Sequence, residues 1–160
     1  MGSTSDLPVM EKACKWLDDN EIPFEVNALS AHRTPDAVEA FAKGAQERGI
    51  KVIIAAAVMA AALPGVIAAS TNLPVIGVPI KGMLDGLDAM LSIIQMPPGI
   101  PTATVGVNAA QNAAILAAQI IGLSDSAVAA KVAAHKAGLG AKIEKANKDL
   151  AEVKYNFKTN

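Results

Sequence analysis

Apolar and polar residues follow two rhythms along this chain, and the rhythms take turns. Met10, Ala13, Cys14 and Leu17 fall at helical spacing behind a polar, glycine-led opening, Met1-Gly2-Ser3-Thr4-Ser5-Asp6-Leu7-Pro8. This predicts a helix with Asp6 as N-cap and Pro8 in the first turn. From Ile22 to Leu29, Phe24, Val26 and Ala28 alternate with Glu25 and Asn27, the period of a strand with unequal faces. Val38, Phe41, Ala42 and Ala45 share a stripe across Pro35 to Arg48, predicting a helix capped by Thr34 with Pro35 in its first turn. Lys51 to Ala57 reads as a continuous apolar strand. Further helices are expected from about Ala61 to Ser70, Leu84 to Gln95 and Asn108 to Ile121, and further strands at Pro74 to Val78 and Thr102 to Val107. Strands alternating with helices predict an α/β domain whose parallel sheet is covered on both faces.

One element of that pattern is missing. A polar turn feeding a helix in such a sheet should follow an apolar strand, yet the turn starts at Met1. In the strand order 2-1-3-4-5 the first strand lies inside the sheet, so its neighbours would be left without hydrogen-bond partners. A gap or a compensating rearrangement is expected, and a start codon placed too late at an internal Met is the simplest origin. At the other end, Val128, Val132, Leu139, Ile143, Ala146, Leu150 and Val153 recur at near-heptad spacing among lysines. They describe a long amphipathic helix or pair that Gly138 and Gly140 should break or bend. The organisation expected is a domain over 1–122 and a helical extension over 123–160, packing on the same or a neighbouring subunit.

Composition narrows the function. The chain has 160 residues, enough for one substantial core, with 52% hydrophobic but only 3% aromatic residues and a net charge of −1. So few stacking platforms and so little positive charge count against nucleic acid and against a flavin. Cys14 is the single cysteine and sits among apolar positions, which leaves no internal disulfide or cysteine-based metal cluster. No signal peptide or bilayer-spanning run is evident, so a cytoplasmic protein without membrane partners is expected.

The candidate chemistry lies in Ser30-Ala31-His32-Arg33-Thr34-Pro35. Histidine as a type titrates near neutral pH and moves protons readily, and arginine presents a permanent, forked cation to phosphate or carboxylate. Ligands in parallel sheets bind in loops at the carboxyl ends of strands. His32, Arg33 and the Gly2–Asp6 turn belong to such loops, as do 56–64, 79–86 and 108–112. Gly2, Ser3 and Ser5 are expected to surround the positive end of the first helix, a place for phosphate or ribose. His135, the other histidine, is expected to be structural or exposed.

Together, Gly2-Ser3-Thr4-Ser5-Asp6, Ser30-Ala31-His32-Arg33-Thr34-Pro35, Ala62-Leu63-Pro64-Gly65, Leu73-Pro74-Val75-Ile76-Gly77-Val78-Pro79 and Ser92-Ile93-Ile94-Gln95-Met96-Pro97 resemble the 5-(carboxyamino)imidazole ribonucleotide mutase family of purine biosynthesis. The resemblance covers nearly all of residues 1–122. It implies a flavodoxin-like, three-layer αβα domain that assembles as a homo-octamer and uses no metal and no organic cofactor. It also implies that Ser3, Ser5 and Asp6 hold the ribose and phosphate with Arg33 assisting, that Ser30 and His32 line the imidazole pocket, and that His32 is the general acid and base.

The chain departs from the commonest family pattern Gly-Gly-Ala-Ala-His-Leu-Pro-Gly, having Val58-Met59-Ala60-Ala61-Ala62-Leu63-Pro64-Gly65. A second pocket histidine is Ala62 here, and Val58 replaces a glycine where positive φ or close backbone approach is expected. Two other readings follow. Direct carboxylation of aminoimidazole ribonucleotide belongs to a branch resembling Ser-Ala-His-Lys, from which Arg33 departs. A catalytically impaired ribonucleotide-binding homologue is suggested by Val58, Ala62 and the missing strand.

Overall fold

β1 (Ile53–Ala57) and β2 (Val75–Pro79) form where the sequence has its continuous apolar runs. They pair in parallel, with Ile53 opposite Val75 and Ala57 opposite Pro79. β3 (Ala103–Thr104) joins the far edge of β2, giving the order β1-β2-β3 in this computed structural model, which describes residues 1–160. Alternate strand residues serve two separate cores. On one face, Ala56, Ile76 and Val78 meet α1 (Leu7–Asp19) and α5 (Ala110–Gly122). On the other, Ile53, Ala55, Ala57 and Val75 meet α2 (Pro35–Gly44), α3 (Leu63–Ala69) and α4 (Leu87–Ile94). The result is a flavodoxin-like, three-layer αβα fold.

Small residues set the close approaches. α5 buries Ala110, Ala113, Ala114, Ala117 and Ala118, letting its backbone lie against α1 and the sheet. Gly77 does the same for α4, since a Cβ there would stand 2.4 Å from Cγ2 of Ile93.

Several expectations change in the folded chain. Residues 22–29 are not a strand. Nothing lies along them to pair with except Met1, whose carbonyl accepts from Leu29 N–H at 2.8 Å and whose amino group donates to the Asn27 carbonyl at 2.9 Å. A lone extended segment cannot satisfy its own backbone, so the alternation of Phe24, Val26 and Ala28 finds no ladder. Of the gap or rearrangement expected there, a gap is what the fold shows, a cavity between residues 22–29 and β1.

The helix expected from Leu84 begins at Leu87, because Leu84 (φ 48°), Asp85 (φ 55°) and Gly86 (φ 89°) are left-handed. The strand expected over 102–107 shrinks to Ala103–Thr104. α6 (Ser126–Ala151) runs unbroken through Gly138 and Gly140. Each exposed helical glycine costs only about 1 kcal/mol relative to Ala, too little to stop a helix rich in Ala and Lys. Asp125 caps α6 through the amides of Ala127 and Val128. Val128 and Val132 pack on the α1–α5 core. Beyond them His135 receives a hydrogen bond at Nδ1 from Nε1 of buried Trp16 at 3.2 Å, a structural role. No helix is long and apolar enough to cross a membrane.

Candidate active site

Two polar turns meet beside the carboxyl end of β1. The first begins at Ser3, extended at φ −159°, and tightens into a 3₁₀ turn over Thr4–Asp6 that leads into α1. Ser3 Oγ accepts from Ser5 N–H at 3.3 Å, and Asp6 Oδ2 accepts from Ser3 N–H at 3.2 Å. This reciprocal capping box explains why Asp6, although charged, is 3% exposed. Asp6 therefore braces the turn instead of capping α1 through its side chain, as the sequence suggested.

The second turn is closed around Ser30. Thr34 N–H donates to the Ser30 carbonyl at 2.9 Å, and Thr34 Oγ1 accepts from Ser30 N–H at 3.0 Å. Thr34 Oγ1 is spent on this turn and does not cap α2. Ser30 Oγ in turn accepts from both N–H and Nε of Arg33, each at 3.2 Å. The guanidinium then reaches across, and Nη2 donates to the Gly2 carbonyl at 2.9 Å. Arginine carries five N–H donors, so this grip leaves others free to meet an anion.

Ser3, Ser5, Asp6, Ser30, His32 and Arg33, the whole set expected from the sequence, line one cavity of about 420 Å³. His32 is exposed on its wall, its ring making no hydrogen bond within the chain, so both nitrogens are open to a ligand. Asp6, the N-cap of α1, and Leu63, the first residue of α3, line the cavity, and the positive end of the α1 dipole favours negative charge there. No group of three or more His, Cys, Asp or Glu side chains is assembled anywhere in the fold.

The loop after β1 completes the wall with Val58, Met59, Ala61 and Ala62. Val58 does not occupy the left-handed region, contrary to the concern its β-branch raised; the strain falls on Met59 (φ 58°) and Ala61 (φ 38°). Val58 instead presses on the next loop, where a Cβ at Gly82 would stand 2.4 Å from Val58 Cγ2. Loops 79–86 and 108–112, expected to converge on the same edge, do not line this cavity. They are tied to each other, Asn108 Oδ1 accepting from Lys81 N–H at 2.8 Å. A larger cavity of about 510 Å³, mostly apolar, lies elsewhere, between residues 22–29 and β1. It carries none of the six candidate residues.

Comparison with known proteins agrees with the arrangement. An N5-carboxyaminoimidazole ribonucleotide mutase of Pyrococcus abyssi is 60% identical over 124 residues, 77% of this chain and 71% of that one. The enzyme of the same name from Thermotoga maritima is 49% identical over 156 residues, 97% of this chain and 91% of the other. The crystal structure of Treponema denticola PurE superposes with a TM-score of 0.83 at 30% identity, covering 94% of each chain. Residues 1–142 match the family described as AIR carboxylase, and the chain belongs to that family.

Proposed function

We propose that this chain converts 5-(carboxyamino)imidazole ribonucleotide to 4-carboxy-5-aminoimidazole ribonucleotide in purine biosynthesis. The observation that carries the reading is the meeting of the Ser3–Asp6 and Ser30–Arg33 turns around one cavity, held by Arg33 on the Gly2 carbonyl. The Ser3 and Ser5 hydroxyls and the remaining guanidinium donors suit a ribose 5-phosphate at the turn that leads into α1. Ser30 fixes Arg33 and lines the cavity with His32.

The reaction then needs one proton delivered and one removed. Protonated His32 gives its proton to the carbamate nitrogen as the N–C bond breaks, which leaves the free amine and carbon dioxide in the cavity. The electron-rich ring carbon C4 attacks the carbon dioxide and forms the new C–C bond. Neutral His32 then takes the C4 proton, restores the aromatic ring and returns to its starting state. Such a positioned acid and base typically contributes about 10²- to 10⁴-fold.

The other readings make distinct predictions. A direct carboxylase performs only the second half and accepts aminoimidazole ribonucleotide with carbon dioxide; Arg33, in place of the lysine of that branch, favours the mutase. An impaired homologue binds ribonucleotide without turnover, a reading that Val58 and Ala62 motivate. Supplying each substrate separately to the purified protein tests all three. Turnover of the carboxyamino compound is expected, and its absence alongside carboxylation of the free amine would overturn the mutase reading.

The same reading includes a homo-octamer in the cytoplasm, with 1–122 as catalytic domain and 123–160 as an extension. Exposed Met83, Leu84, Leu87, Leu91 and Ile94, running from loop 81–86 along α4, support burial between subunits. The site is read as working without metal or organic cofactor, because the proposed steps need only a proton relay and an anion cradle.

A further inference from the structure

α6 holds to the rest of the fold only through its first turns, and the attachment ends at a histidine. Val128 and Val132 pack on the core that α1 and α5 share, and the stripe they begin continues through His135, Leu139 and Ile143 at spacings of three and four. Every residue from Lys136 to Phe157 is exposed. A Cβ at Gly138 or Gly140 would meet nothing within 4 Å. No hydrogen bond or ion pair ties residues beyond His135 to residues 1–125. His135 therefore occupies an apolar register position at the point where the helix departs.

What it does there is accept a hydrogen bond. Trp16 Nε1–H donates to His135 Nδ1 at 3.2 Å, the ring centroids are 5.4 Å apart and the planes cross at 88°. Trp16 is 5% exposed, so its N–H has little water to turn to if the acceptor is lost. His135 is only half-buried and its Nε2 bonds to nothing in the chain, which leaves the ring open to protons from solvent.

An imidazole accepts at Nδ1 only while it is neutral, with its proton on Nε2. Once protonated, both nitrogens donate, and flipping the ring restores nothing. Two N–H groups then confront each other at the positive edge of the indole, where the attraction of a cation for an aromatic face is out of reach. No carboxylate forms an ion pair with His135 to hold the cation in place.

The other charges nearby are mostly positive or already paired. On α6 they are Lys131, one turn earlier, and Lys136, the next residue. On α1, Lys12, Lys15 and Asp19 stand within about a turn of Trp16, with Lys15 and Asp19 bonded to each other at 3.0 Å. Glu21, just past α1, meets Lys131 at 3.8 Å. α5 carries no ionisable side chain.

We propose that Trp16 and His135 form a proton-operated latch, which fastens α6 to α1 while His135 is neutral and lets the helix swing away when His135 is protonated. The Asp125 cap and the Lys131–Glu21 contact precede the latch and form the pivot. Attachment is complete while the imidazole is neutral and fades as pH falls through the histidine range.

The single tryptophan makes the latch directly readable, since the protein gives one indole N–H signal and one indole emission. Exchange of that N–H with water is measured at about pH 8 and about pH 5.5, each relative to free N-acetyltryptophanamide at the same pH. On acidification the relative exchange should rise about tenfold, and acrylamide should quench the emission more strongly, while far-UV circular dichroism keeps its helical signal. His135→Asn supplies an amide oxygen that accepts at any pH, so its exchange and quenching should stay flat between the two conditions. His135→Gln, with the oxygen one bond further out, repeats the test should the first variant fold poorly.

Equal relative exchange at both pH values in the parent would overturn the proposal. So would variants that respond to acid as strongly as the parent, because the response would then belong to another group. Loss of the helical signal in step with the indole changes would also overturn it, as the whole fold and not α6 would be opening. None of these readouts depends on ribonucleotide turnover.

Discussion

Arg33 Nη2 donates to the Gly2 carbonyl at 2.9 Å, joining two turns that stand 31 residues apart in sequence. The same guanidinium is steadied at Nε by Ser30 Oγ. A lysine places one point charge and cannot span both acceptors in this geometry. Arg33→Lys should therefore raise KM for the ribonucleotide about tenfold with a smaller change in kcat. Because the side chain is exposed, the melting midpoint should barely move. Steady-state kinetics with a thermal melt checks both halves.

His32→Asn removes the proposed proton carrier from a ring that supports nothing else in the chain. Turnover should fall by about 10²- to 10⁴-fold while the unfolding midpoint and ribonucleotide binding stay close to those of the parent. A variant with the parental kcat would take His32 out of the mechanism.

Asp6 Oδ2 is the acceptor for Ser3 N–H in the capping box. Asp6→Ala should cost about 1–2 kcal/mol in urea unfolding, since it leaves a donor unmet and empties a buried position. Asp6→Asn retains an acceptor oxygen and should cost less. Equal losses for the two would mean that charge, not shape, holds the turn.

Val58 and Gly82 are in such close contact that a methyl group at Gly82 would sit 2.4 Å from Val58 Cγ2. Gly82→Ala should destabilise the chain by about 1–3 kcal/mol, and Val58→Gly should relieve most of that loss in the double variant. Additive effects in the double-mutant cycle would refute the contact. Val58→Gly alone should raise turnover by opening the cavity wall that Val58 helps form.

The Met1 ammonium has a pKa below its ordinary value of 8.0, chiefly through burial and against the opposing pull of Asp6. Between the folded and unfolded pKa values the unfolded chain holds more protons, so stability should rise as pH climbs through that interval toward 8.0 and level off above it. N-terminal acetylation removes the titrating group. The difference between acetylated and free chains in melting midpoint against pH should show this slope, and a flat difference would contradict it.

Much of the site was legible in local sequence because its turns are locally determined. Ser3 with Asp6, and Ser30 with Arg33 and Thr34, make their hydrogen bonds within four residues, so residue type and spacing nearly specify the geometry. The roles within those turns were less legible. Asp6 and Thr34 stand at the cap positions of α1 and α2, yet their side chains bond backward, to the amides of Ser3 and Ser30. The position of Val58 was likewise settled by contact with Gly82, from a loop 24 positions further on.

The sequence by itself determined the alternation of apolar runs with amphipathic segments, and hence a parallel sheet between two helical layers, because strand and helix periods are written in successive residues. Only the tertiary structure decided what became of residues 22–29, since a strand exists by pairing and its partner comes from elsewhere in the chain. It alone decided that loops 79–86 and 108–112 stay off the cavity and that α6 runs straight through two glycines. Those outcomes rest on which surfaces touch, and distance in space is not recorded in the order of the residues.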